Sequence, residues 1–126
     1  MNDGSETQVQ CDFKVWLKSH GWEIMPKAKD DHIDVRARRA ANELIAEVKG
    51  HTSSPGLDLD TAYGQLLRRM TTDDPNVLYA IVVPAAVCKA AQRVPAWVHE
   101  LLRVTVYLVD RDGTVRSLPD ANLNSR

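Results

Sequence analysis

The feature that most limits the fold is the run Val77 to Val83, Val-Leu-Tyr-Ala-Ile-Val-Val, which is apolar almost without interruption. A strand that is apolar on both sides has to be covered on both sides, which places it inside a sheet with helices on the two faces. A segment with helical spacing precedes it, so the chain crosses by a helix and the strand pairs in parallel with an earlier one. The chain is long enough for this: 126 residues with 44% apolar content can build one compact core without a metal or disulfide staple. A single domain over 1–126 is expected, with its core at about 5–118 and a polar, frayed tail at 119–126.

Upstream, Ser5-Glu6-Thr7-Gln8 has capping-box spacing, and Val9, Phe13, Trp16 and Leu17 share one helical stripe. These predict a first helix that closes near His20-Gly21. Trp22 to Met25 reads as a short strand, and Lys27 to Asp31 as a turn. His32 to Arg39 alternates, with Ile33, Val35 and Ala37 opposite Asp34, Arg36 and Arg38, and Glu43 to Lys49 alternates again. Together they predict a hairpin turning at Ala40 to Asn42. Gly50 to Leu57 reads as a loop, followed by a helix capped by Asp58 or Asp60 in which Leu59, Ala62, Tyr63, Leu66, Leu67 and Met70 recur. Its other face carries Gln65, Arg68 and Arg69, expected to point the same way.

Past Val83, Ala85 to Arg93 is helix-prone, Pro95 suits the first turn of a short helix ending near Leu102, and Val104 to Val109 is a strand. Asp112-Gly113 then turns the chain into a last strand, Val115 to Leu118. Trp16, Trp22 and Trp97 are expected to fill the core. Cys11 and Cys88 are far apart and lack metal spacing, so both are expected as reduced core residues. The four histidines form no H-x-x-x-H or His/Asp cluster, which leaves a zinc hydrolase without support.

The polar face of the second hairpin strand carries the chemistry. Glu47 and Lys49 are same-side neighbours about 6 to 7 Å apart, and Asp34 lies on the adjacent strand. Two carboxylates from neighbouring strands can share one Mg²⁺, with the Val48 carbonyl as a further oxygen ligand. Lys49 can bring a point-charge ammonium to an attacking water or a scissile phosphate.

Asp34, twelve intervening residues, Glu47-Val48-Lys49 and then Gln65 on the following helix resemble the PD-(D/E)XK nuclease superfamily over roughly residues 5–83. Within it the pattern is most similar to Mrr-like type IV restriction enzymes and archaeal Holliday-junction resolvases. The resemblance implies a restriction-endonuclease-like αβββαβ core: an α/β fold with a mixed central sheet flanked by helices, here extended by a C-terminal helical segment and a β-hairpin. It implies that Asp34 and Glu47 bind metal, that Lys49 is the catalytic lysine, and that Gln65 orders the site. Glu6, in the first helix, matches the place of a further acidic ligand. The superfamily's proline is absent, since His32-Ile33 precede Asp34, and the stretch Ala85 to Leu102 matches no substrate-recognition element.

The expected function is therefore a Mg²⁺-dependent DNA endonuclease in which Mn²⁺ can substitute. The alternative is a catalytically silent module of the same fold that binds nucleic acid or a protein partner. A net charge of −1 provides no bulk basic footprint, so DNA contact would rest on local cations: Arg36, Arg68, Arg69 and the loop residue His51. Cutting both strands with one set of site residues needs a second copy or a partner protein, and Val94 to Leu102 is the expected interface. With no signal-peptide pattern and no apolar span of bilayer length, a cytoplasmic protein without membrane contact is expected.

Overall fold

The computed structural model describes residues 4–29 and 31–118, so the expected frayed tail lies outside the described residues. Six strands form one sheet in chain order, β1 to β6. Helix α1 (Glu6–Ser19) comes first, then β1 (Glu23–Ile24), β2 (Val35–Arg39), β3 (Asn42–Val48), α2 (Pro55–Arg69) and β4 (Val77–Pro84). This is the expected αβββαβ order. A 3₁₀ turn (Ala85–Val87), short helices α3 (Cys88–Ala91) and α4 (Ala96–Leu102), and strands β5 (Val104–Val109) and β6 (Val115–Ser117) complete the chain.

The sheet is mixed, as expected: β1, β2 and β3 are antiparallel, β3, β4 and β5 are parallel, and β6 returns antiparallel to β5. The strand predicted from the apolar run lies between β3 and β5 and divides its side chains between two cores. Ala80 and Val82 pack with Val9, Phe13 and Leu17 of α1, whereas Tyr79, Ile81 and Val83 pack with Leu59, Ala62 and Leu66 of α2. The alternation in β3 divides in the same way, with Leu44, Ala46 and Val48 toward α1 and Ile45 toward α2. Glu47 therefore faces the α2 side.

Local chemistry explains the helix ends. Ser5 caps α1 by accepting the Gln8 N–H, while the Gln8 side chain donates to Asp12. At its other end the Gly21 N–H donates to the Lys18 carbonyl and the Trp22 N–H to the Leu17 carbonyl, with Gly21 at φ +85°. This is a Schellman closure, sealed by Leu17 and Trp22 in one core.

Three expectations need correction, those for the start of α2, for Trp97 and for Cys11. Helix α2 starts at Pro55 rather than at the predicted Asp58 or Asp60 cap, because a proline at the first helical position forfeits no hydrogen bond. Trp97 is 66% exposed, and the buried member of α4 is His99. Trp22 is buried and Trp16 half-buried, the latter packed against Phe13 and Tyr107. Cys11 is exposed, since it lies on the face of α1 opposite Val9 and Phe13; Cys88 is half-buried against the α2-side core. No helix among the described residues is long and apolar enough to cross a membrane.

Candidate active site

The site forms where β2 and β3 stop pairing. The ladder runs from Arg39–Asn42 to Val35–Ala46 and ends there. Upstream, the Asp31 carboxylate accepts the Ile33 N–H at 2.9 Å, turning the chain before it enters the sheet. One residue short of β2, the Asp34 carboxylate accepts the Val48 N–H at 2.9 Å. A side chain has replaced the backbone as partner, so Asp34 is held at the sheet's end rather than within the strand the alternation predicted.

Glu47 lies directly across. Its Oε2 accepts the Asp34 N–H at 3.4 Å, and its Oε1 is 3.7 Å from Arg69 Nη2. Only 1% of Glu47 is exposed. Burial above all, then the negative charge of Asp34, pushes its carboxyl above the ordinary glutamate value; the Asp34 N–H, Arg69 and Lys49 oppose the shift without cancelling it. Lys49 immediately follows β3, and its N–H continues the parallel ladder to the Val82 carbonyl at 2.9 Å. Strand alternation puts its side chain on the Glu47 side. In a strand the N–H and C=O of one residue point the same way, so the Val48 carbonyl, like its N–H, is directed toward Asp34.

Asp34, Glu47, Lys49 and Arg69 are thus brought together, and the other residues singled out in the sequence fall around them. Gln65 is half-buried on α2, one turn before Arg69, and has no hydrogen bond to Asp34 or Glu47 among the described residues. Arg68 is exposed while Arg69 turns inward, so the two do not share a direction as expected. Arg36 is held between Asp31 and Glu43, at 3.2 Å from each. His51 is exposed and donates its backbone N–H to the Gly4 carbonyl at 2.7 Å. Glu6 has an exposed side chain on the first residue of α1, and its backbone lies against Gly50: a Cβ on that glycine would be 2.3 Å from the Glu6 nitrogen. The helix N-terminus is thereby fixed beside the residue that follows Lys49.

The role of Arg69 as a counter-ion, and the Gln10 side chain that donates to the Asp34 carbonyl at 3.4 Å, were not legible in the sequence. The same holds for the pair formed by buried His99 and half-buried Tyr63, in which Tyr63 Oη lies 2.6 Å from His99 Nε2 between α2 and α4.

Among the described residues no three His, Cys, Asp or Glu side chains converge on one point. The donor set is two carboxylates and a backbone carbonyl, all hard oxygens. It fits Mg²⁺, which is commonly held by one or two carboxylates and retains several waters, and does not fit zinc, which prefers nitrogen and sulfur.

No protein-family model matches the chain, and no curated protein matches it. Two solved structures share its fold. An XisH family protein from Nostoc punctiforme aligns with a TM-score of 0.62 at 18% identity, covering 86% of this chain and 95% of its own. An fdxN element excision controlling factor protein from Anabaena variabilis aligns with a TM-score of 0.63 at 19% identity, covering 87% and 97% respectively. At this identity the likeness is one of fold.

Proposed function

We propose that the protein is a divalent-metal-dependent nuclease that hydrolyses phosphodiester bonds in DNA at Asp34, Glu47 and Lys49. The observation that carries this reading is the near-complete enclosure of Glu47 beside a second carboxylate, Asp34. That arrangement disfavours the charged form and pushes the carboxyl above its ordinary value, so the ionised group weakens the fold instead of serving it. Carboxylates held in such surroundings are characteristic of functional sites.

In this reading Asp34 and Glu47 would hold Mg²⁺ or Mn²⁺, with the Val48 carbonyl as a third oxygen. The bound ion would supply Lewis acidity and a more acidic water. Lys49, on the Glu47 side at the end of β3, orients the nucleophile or offsets charge on the scissile phosphate. Asp34 is oriented by the Val48 N–H. Gln65, half-buried on α2 one turn before Arg69, would help order the site. Arg68 and His51 are exposed and can meet the DNA backbone, while Arg36 would first have to leave Asp31 and Glu43. Glu6, at the start of α1, would join as a ligand through water. The name of one structural neighbour concerns the control of excision, a role compatible with DNA as substrate.

One observation favours a second reading, a silent module that binds DNA or a protein partner. Glu47 is already matched by a guanidinium, as in a structural ion pair. The two readings separate in a titration of Mg²⁺ and Mn²⁺ against labelled duplex, junction, flap and single-stranded DNA. Metal-dependent cleavage lost in Lys49→Ala supports the nuclease; binding without cleavage in any metal supports the silent module.

A further inference from the structure

We infer that Arg69 has two positions in this site: it neutralises Glu47 until a divalent cation takes that carboxylate, and it then donates to a phosphate oxygen of the bound strand. This rests on the nuclease reading. Three features of the guanidinium lead to it. Its Nη2 is 3.7 Å from Glu47 Oε1, close enough for charge but too far for a hydrogen bond. The same nitrogen donates to the His32 carbonyl at 3.2 Å, which tethers it at the mouth of the site. Its Nε is enclosed and has no hydrogen-bond partner among the described residues.

An arginine fork matches a carboxylate or a phosphate through two parallel hydrogen bonds. Here Glu47 does not accept that fork, because Oε2 is turned to the Asp34 N–H. The pair is electrostatically matched and geometrically incomplete. A dication held by Asp34 and Glu47 would replace the charge that Arg69 supplies and repel the guanidinium, leaving its donors for an anion. In its second position the side chain would meet a phosphate oxygen beside that dication, which would give the now enclosed Nε an acceptor. Lys49, the other cation near Glu47, leaves from the strand side, so the two cations would approach the phosphate from different elements. Arg68 is exposed and can hold the outer backbone without competing for this place.

The exchange makes metal and DNA binding cooperative, and calorimetric Mn²⁺ titration without nucleic acid exposes its first half. Arg69→Gln should bind Mn²⁺ about tenfold more tightly than wild type, because its competitor for Glu47 is gone, and Glu47→Gln should bind it hardly at all. The second half is read as the gain in affinity for a short labelled DNA duplex when Ca²⁺ is added. That gain should be present in wild type and largely lost in Arg69→Gln. It should also be lost in Arg69→Lys, which keeps the charge but not the fork, with circular dichroism melts confirming that each variant is folded. Equal or weaker Mn²⁺ binding by Arg69→Gln, with Glu47→Gln still defective, would overturn the exchange and leave the metal site standing. Mn²⁺ binding by none of these proteins would overturn both. If Arg69→Gln does not fold, an undiminished gain in Arg69→Lys overturns the exchange.

Discussion

Replacing Gly50 by alanine tests whether the start of α1 is built against the end of β3. A Cβ at Gly50 would be 2.3 Å from the Glu6 nitrogen, 2.8 Å from the Ser5 carbonyl carbon and 2.9 Å from the Glu6 Cα, all of them backbone atoms. Restoring an ordinary 3.4 Å contact means moving the first turn of α1 back by about 1.1 Å. The helix cannot follow freely, because Val9, Phe13 and Leu17 are fully enclosed along its inner stripe. Overpacking of this kind costs about 1–3 kcal/mol. At about 4 °C per kcal/mol for a domain of this size, the melting temperature should fall by roughly 4–12 °C. Gly64→Ala is the matching control: Gly64 is exposed in the middle of α2, and a Cβ there meets nothing within 4 Å. The same added methyl should stabilise the fold by about 0.5–1 kcal/mol, since alanine is the better helix former. Thermal unfolding of both variants beside wild type, at one pH and in chelator, decides the matter. A Gly50→Ala protein melting within about 1 °C of wild type would refute the close approach of α1 and β3.

Glu47→Gln should raise the melting temperature in metal-free buffer at pH 8 and have little effect near pH 4. The carboxyl is pushed above its ordinary 4.5, so the fold is free of the penalty below that value and bears it in full once the pH passes the raised value. A variant less stable than wild type at pH 8 would contradict this. Tyr63→Phe leaves the His99 ring nitrogen enclosed without its 2.6 Å partner and should cost about 1–3 kcal/mol in denaturant unfolding. Burial pushes the Tyr63 phenol up to about 12, so it remains protonated and can donate throughout the usual range. Burial also lowers His99 below its ordinary 6.5, so the unfolded chain takes up that proton first; stability should be full above that pH and decline as acid is added, and His99→Gln should flatten this dependence.

Features of the fold that depend on strict period were legible in the sequence. The apolar run placed β4 between two covered faces, and the alternation of β3 set Glu47 on the face opposite Leu44, Ala46 and Val48, which the structure packs on α1, because a residue in a strand has only two faces to choose from. Short helices and long side chains were less legible. In the seven residues of α4, two stripes have comparable apolar content, and Trp97, expected in the core for its apolar surroundings, is 66% exposed on the same stripe as Leu101 at 72%. The inward stripe instead carries His99, whose partner Tyr63 is far away in sequence. In α2 the register correctly marked a polar face, but register cannot say which side chain on it reaches the sheet. Arg69 does so because its length spans the gap from the last turn to Glu47, and Arg68, one position earlier, turns to solvent. Asp34 was legible as a residue facing Glu47, while its bond to the Val48 N–H, which ends the ladder, was not.

The claim on which the functional reading depends is that Asp34 and Glu47 share one divalent ion. Crystals grown with Mn²⁺ and measured for anomalous scattering test it most directly. A single strong peak within coordination distance of both carboxylates and the Val48 carbonyl, absent in Asp34→Ala, is the expected result. A folded, well-diffracting protein with no peak there, or with Mn²⁺ only at surface carboxylates and Arg69 still on Glu47, would contradict it.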